Sequence, residues 1–142
     1  MECSVAQSLE VVGEWWTLLI IRGFFPPRNK HRFEEIQEDL GIARNILSNR
    51  LQSLLEHGVI ERRLYQEHPP RYEYHLTRKG RDLLLALLAW GDRWADHEDG
   101  PPVQLRHTVC NHRLTPVMTC SHCGEQVTTG TVEASFRRSR AS

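Results

Sequence analysis

Two sets of side chains in the sequence have the types and spacing to do chemistry. The first lies in "GIARNILSNRLQSLLEHG", where Arg44, Asn45, Ser48, Asn49, Gln52 and Ser53 fall, at helical spacing, away from a stripe of Ile46, Leu47, Leu51, Leu54 and Leu55. A face that meets only water more often carries Glu and Lys. Amides, hydroxyls and guanidinium groups instead offer the donors and acceptors that read base edges and hold phosphates. The second set lies in "RHTVCNHRLTPVMTCSHCGEQV". There His107 and Cys110 form an H-x-x-C pair, nine residues separate Cys110 from Cys120, and Cys120 and Cys123 form C-x-x-C ahead of Gly124. Two such pairs can offer four ligands to a tetrahedral structural Zn2+. The "CNH" run departs from a clean knuckle, so His112 or His122 are alternative ligands, and a metal-free hairpin with reduced thiols is the competing reading.

A third feature is a lone thiol. Cys3 stands just before the first helical pattern, where the partial positive charge of a helix N-terminus lowers a thiol's pKa. It is a candidate redox sensor, against the plain alternative of a poorly ordered terminal cysteine.

The elements that must position these groups follow from periodicity. "SVAQSLEVVGEWWTLLIIRGFF" carries Val5, Leu9, Val12, Trp16, Leu19 and Ile20 at three-and-four spacing, interrupted near Gly13, which predicts two short helices or one kinked helix. Pro26 and Pro27 force a loop. "HRFEEIQEDLG" predicts a short helix with Phe33, Ile36 and Leu40 on one face, closed by Gly41. Only a few residues, Gly41 to Ala43, precede the polar-faced helix. The two helices must therefore meet at an angle with the second projecting, a helix-turn-helix. Gly58 ends that helix, and "VIERRLYQ" and "RYEYHL" alternate as strands around "EHPP". Thr77 can cap a long apolar helix, "RKGRDLLLALLAWGDRWADH", with Leu84, Leu87 or Leu88, Gly91 and Trp94 along one side. The predicted fold class is mostly α with a small β hairpin, a winged helix-turn-helix, plus a small C-terminal β or knuckle segment. The predicted boundaries are 1–98 for the DNA-binding and dimerisation domain, 99–106 for a linker, 107–130 for the Cys/His segment and 131–142 for a disordered tail. No internal repeat is visible.

Whole-chain charge carries no hint of a partner, since 18 basic side chains face 18 acidic ones. Its distribution does: residues 1–27 hold one Arg against three Glu, 41–81 hold eight basic against four acidic residues, and 82–106 hold two against five. Phosphate binding responds to such a local field. At 142 residues the chain holds one ordinary core with at most a small appendage, which argues against a multidomain enzyme. No run approaches the roughly 20 apolar residues of a membrane span. The first residues lack the basic leader of a secretory signal, so a cytoplasmic location is expected, and the cysteines point to metal, redox or buried roles rather than disulfides. With no G-x-S-x-G or H-E-x-x-H motif, and no thioredoxin-like context around "CSHC", no enzyme is expected.

"GEWWTLLIIRGFF", "RFEEIQEDLGIARNILSNRLQSLLEHGVIERR", "PPRYEYHLTRKGRDLL" and "AWGDRW" resemble, in one register from about Cys3 to Trp94, the HxlR-type winged helix-turn-helix transcriptional regulators of bacteria and archaea. The resemblance implies a homodimer on a roughly palindromic operator. It also implies that a cysteine near the position of Cys3 senses quinones, aldehydes or oxidants. Leu85 stands where many relatives carry proline, which leaves the closing helix straighter; a cysteine-bearing tail occurs in some relatives and is not required for DNA binding.

The expected DNA contacts are Ala43, Arg44, Asn45, Ser48 and Asn49 in the first two turns of the reading helix, with Arg50 turned toward phosphate. Arg62 and Arg63 are expected at the base of the hairpin, and His68 and Arg71 at its tip, 68–71, near a minor groove. Any one of these alone reads equally as a solvated side chain; as a set they favour contact. The expected dimer surface is Leu9 with Leu84, Leu87, Leu88, Gly91 and Trp94. The expected metal is Zn2+ on His107, Cys110, Cys120 and Cys123, and the competing class of function is a thiol or zinc protein-interaction module, or a redox protein using the C-x-x-C segment.

Overall fold

The interrupted apolar pattern at the start resolves into two helices. Helix α1 (Ser4–Val12) stops at Gly13, whose N–H donates to the Leu9 carbonyl at 2.8 Å, and α2 (Trp15–Gly23) begins two residues later. The computed structural model describes residues 3–94, 96, 98–100 and 103–135. Helix α3 (Phe33–Leu40) follows the proline loop, and its Glu35 carboxylate accepts the free N–H groups of Arg32 at 3.0 Å and His31 at 3.1 Å. Those N–H groups, Arg32's first, hold the Glu35 carboxyl below the usual carboxylate range. Gly41 closes α3 at φ 62, left-handed backbone that glycine reaches without a Cβ clash. Ile42, buried in the core, follows in the turn, and helix α4 (Arg44–Glu56) then starts with Ala43 as its N-cap.

Strands β1 (Ile60–Gln66) and β2 (Arg71–Leu76) pair antiparallel, Ile60 opposite Leu76 and Arg62 opposite Tyr74, with a shift of register between Leu64 and Gln66. Helix α5 (Arg78–Trp94) is unbroken past Leu85. Its entry is fixed by Thr77, whose hydroxyl donates to the Gly58 carbonyl at 2.7 Å and accepts the Gly80 N–H at 3.3 Å. Gly80 lies so close to the Val59 carbonyl that a Cβ there would also meet Leu76 Cδ2 at 2.8 Å. The core forms where α2, α3 and α4 meet: Ile20, Ile21, Ile36, Leu47, Leu51 and Leu54 are each at most 2% exposed, and Val59, Ile60, Leu76 and Leu84 extend the same cluster. No helix of the described residues is long and apolar enough to cross a membrane.

Three expectations about direction are corrected. On α4 the buried stripe is Leu47, Leu51 and Leu54, and Ile46 stands 38% exposed because it lies about 100° around the helix from Leu47. On α5, Leu84 is 3% exposed and offers no free surface for pairing, while Leu88 packs against the core and is only partly exposed. The outward residues of that helix are Leu87 and Trp94 from the expected set, together with Trp90, while Gly91 is half-buried. The reason is again angular: Leu84 and Leu88 follow the inward i, i+4 line, and Leu87, Trp90 and Trp94 a line beside it.

The chain divides into two compact units, Met1–Leu88 and Ala89–Ser142, so the division falls inside α5, ahead of the linker expected at 99–106. Ala89, Asp92 and Arg93 in the last turns of α5 line a cavity of about 410 Å³ together with Leu105 and Leu114, which is why those turns belong with the second unit. There β3 (Arg106–His107) pairs antiparallel with β4 (His112–Arg113), Thr119 bridges Gln126, and a short 3-10 turn spans Thr129–Thr131. Of the expected disordered tail 131–142, residues 136–142 lie outside the described residues, as do Met1, Glu2, Ala95 and His97 of the expected 1–98 domain and Pro101 and Pro102 of the expected linker.

Candidate nucleic-acid interface

The leading half of α4 is built to face outward. Leu47, Leu51 and Leu54 root the helix in the core, which leaves Arg44, Asn45, Ser48 and Asn49 exposed on the opposite side. Its N-cap is Ala43, in extended backbone, and no side chain caps the helix start. The first N–H groups of α4 are thus free to meet a phosphate oxygen, and the small Ala43 side chain lets a backbone approach. Ile46, expected in the buried stripe, is exposed on this face, an apolar point of a kind that can meet a thymine methyl.

Aromatic rings hold the arginines. The Arg44 guanidinium lies 4.6 Å from the Phe33 ring centroid, Arg32 4.3 Å from Tyr65, and Arg62 4.3 Å from Tyr72. Arg32 also donates from Nε to Glu73 Oε1 at 3.1 Å, and that bond raises its pKa further. Between the start of α3, the start of α4 and the hairpin lies an open groove of about 720 Å³, lined by Arg32, Phe33, Arg44, Tyr65, Arg71 and Tyr72. Three guanidinium groups and two carboxylates, Glu34 and Glu35, border the groove; Glu35 is engaged by backbone N–H groups, Glu34 is exposed and Arg32 is paired with Glu73, so Arg44 and Arg71 are the cations on the rim best placed for a phosphate. Arg32, Tyr65 and Tyr72, which line this groove, are not among the contacts expected from sequence. The available signal was the position of Arg32 at the entry of the first helix of the pair, the helix that meets the DNA backbone in helix-turn-helix proteins.

The other expected contacts divide. Arg71 is exposed and borders the groove, and His68 is exposed at the hairpin tip, where the Gln66 amide donates to the carbonyls of His68 and Pro69 at 3.3 and 3.2 Å. Arg62 and Arg63 are neighbours on β1 and so point to opposite faces of the hairpin. Arg63 is turned to Glu61, its Nε donating at 2.8 Å. Arg50, expected to face phosphate, remains partly exposed and lies 3.9 Å from Glu14 at the start of α2.

His31 ties the hairpin to the helix pair. The Tyr74 N–H donates to the His31 carbonyl at 2.8 Å, the His31 ring Nδ1 lies 3.0 Å from the Tyr74 carbonyl, and the ring stacks on His75 at 4.5 Å.

Cys3 is the N-cap residue of α1 and is exposed; its sulfur makes no direct capping bond, but the partial charges of the Ala6 and Val5 N–H groups hold its pKa below the ordinary thiol value. In the second unit the structure joins the expected ligands two by two. His107 Nδ1 lies 3.3 Å from Cys110 Sγ, and the N–H groups of Cys123 and His122 lower the pKa of Cys120. Among the described residues no three His, Cys, Asp or Glu side chains come together closely enough to hold one metal ion.

Comparison with known proteins adds the following. The model of the HxlR-like helix-turn-helix family matches residues 11–99. The uncharacterized HTH-type transcriptional regulator Rv3095 of Mycobacterium tuberculosis is 46% identical over 129 residues, which cover 88% of this chain and 80% of that protein. The crystal structure of PA1607, a candidate transcription factor, superposes with a TM-score of 0.76 at 33% identity over 96% of each chain. The redox regulator HypR, in its oxidized form, superposes with a TM-score of 0.54 at 29% identity, over 67% of this chain and all of that one.

Proposed function

This chain belongs to the HxlR-like helix-turn-helix family of transcriptional regulators, and from that premise we propose that it acts in the cytoplasm as a homodimer on a roughly palindromic, double-stranded DNA operator. The observation that carries the reading is the groove between α4 and the hairpin: an uncapped helix start, exposed Asn45, Ser48 and Asn49 beside it, and Arg32, Arg44 and Arg71 along its rim. In this assignment α4 enters the major groove by its first two turns, Asn45 and Ser48 address base edges, and the arginines engage phosphates. Pairing uses the exposed apolar face of α1, with Val5 and Leu9, and the outward residue Leu87.

The test is footprinting and competition binding on DNA flanking the protein's own gene. Two protected half-sites about one helical turn apart, roughly 34–36 Å, are expected. Asn45→Ala combined with Ser48→Ala should cost about 1–3 kcal/mol of preference for the operator per lost base contact while weak, salt-sensitive association remains. Unchanged preference would remove these residues from the reading surface. Affinity that barely responds to salt would instead favour a protein-interaction module. A monomer in sedimentation at micromolar concentration would overturn the dimer.

A redox response is the second part of the proposal, favoured by the exposed, acidified Cys3 thiol and by the likeness to HypR, itself described as a redox regulator. Oxidation of Cys3 then releases DNA by changing how two copies meet. Oxidant should free the operator from the parent protein but not from Cys3→Ser; release that persists in the variant excludes Cys3 as the sensor.

A further inference from the structure

The second unit contains a repeat that the residue types conceal. In the first hairpin the Leu114 N–H donates to the Leu105 carbonyl at 2.8 Å, and the Asn111 N–H to the His107 carbonyl at 2.8 Å. Thirteen residues on, the Val127 N–H donates to the Met118 carbonyl at 2.9 Å, and the Gly124 N–H to the Cys120 carbonyl at 2.8 Å. His107 pairs with His112 across the first hairpin, and the Cys120 N–H donates to the Glu125 carbonyl at 2.8 Å across the second. Asn111 at φ 58 and Gly124 at φ 78 occupy the same left-handed position, each directly after a cysteine. The expectation of no internal repeat is therefore overturned by the backbone. His107 and Cys120 hold equivalent places, as do Cys110 and Cys123.

We propose that these two hairpins are halves of one structural zinc site, with His107 and Cys110 supplied by the first and Cys120 and Cys123 by the second. The donor chemistry fits: one imidazole and three thiols are a tetrahedral Zn2+ set, and each turn already presents its own two donors on a short, hydrogen-bonded loop. His112 is the weaker alternative because its Nδ1 is engaged with the Cys110 carbonyl at 2.7 Å. Need fits as well. Among the described residues from Ala89 onward only Leu105 is buried and apolar, while Val109, Val117, Met118 and Val132 are more than half exposed, so burial alone supplies little to hold the hairpins together. The structure keeps the two pairs apart, so the hairpins must converge when Zn2+ binds, as in small domains whose folding is completed by metal. Binding releases the three thiol protons to solvent and leaves Zn2+ with three thiolates and a neutral imidazole, a net charge of −1 at the site.

The probe is Co2+ added to the reduced full chain, followed by displacement with Zn2+. The expected result is one equivalent per chain, with the intense visible bands of tetrahedral cobalt and a thiolate charge-transfer band. Affinity should fall by more than roughly 100-fold in Cys120→Ser and in Cys110→Ser, and stay unchanged in His112→Ala and Cys3→Ser. His107→Cys should keep the tetrahedral spectrum and strengthen its charge-transfer band, which separates ligand chemistry from loss of folding. Binding below roughly 0.1 equivalent, a six-coordinate cobalt spectrum, or full binding retained when either hairpin loses its cysteines would each overturn the proposal. So would a Cys120–Cys123 disulfide that forms equally fast with and without Zn2+. None of these readouts involves DNA, so they stand apart from the operator reading.

Discussion

Twelve apolar side chains share the interior of the first unit, whereas the described residues of the second bury Leu105 alone. The first is specified by periodicity: a stripe repeating at three and four residues buries itself wherever helices meet. The second is specified by turns, with the same backbone hydrogen bonds laid down twice around left-handed Asn111 and Gly124. A patterned core tolerates varied outward residues, so chemistry can be written on its surface. A turn-built unit keeps its chemistry in the few residues that also shape it.

The contrast can be broken most forcefully at the core. Leu47 is fully buried, and Leu47→Ala should lower stability by about 2–5 kcal/mol in urea denaturation. The same change at half-buried Leu114 should cost about 1 kcal/mol or less. Equal losses would erase the difference between the units. A smaller effect sharpens it: Thr77→Ala removes the cap shared by β2 and α5 and should cost about 1 kcal/mol, read as a shifted denaturation midpoint with unchanged slope. The smallest is a pH effect. Because the folded pKa of Glu35 is depressed, its contribution is complete above the unfolded value, about 4.3, and is lost as pH falls through the folded value. Parent protein and Glu35→Gln should therefore converge in stability on acidification and separate toward neutrality; a constant gap would contradict the cap.

How much of this was legible depended on how local its cause is. The leucines of α4, the closing glycines Gly41 and Gly58, the hairpin around 67–70 and the Thr77 cap are each set within a turn or two of chain, and each appears where spacing placed it. What failed to show was set by tertiary contact. Arg50 comes near Glu14 because α4 crosses the start of α2, and Leu84 faces inward because of how α5 lies on the core. The stacking of Arg32 on Tyr65 joins residues far apart in sequence, so no spacing rule could suggest it. The thirteen-residue repeat escaped for another reason: Leu matches Met, His matches Cys and Asn matches Gly, and only the shared backbone makes them alike.

The two bonds between His31 and Tyr74 carry a consequence for how a partner is measured. These bonds tie mid-β2 to the residue just ahead of α3, which restrains the base of the hairpin relative to the helix pair, and so limits the range of openings between α4 and the hairpin. On the proposed reading, a duplex whose groove width falls outside that range would have to deform, at a cost that depends on its sequence even where no side chain touches it.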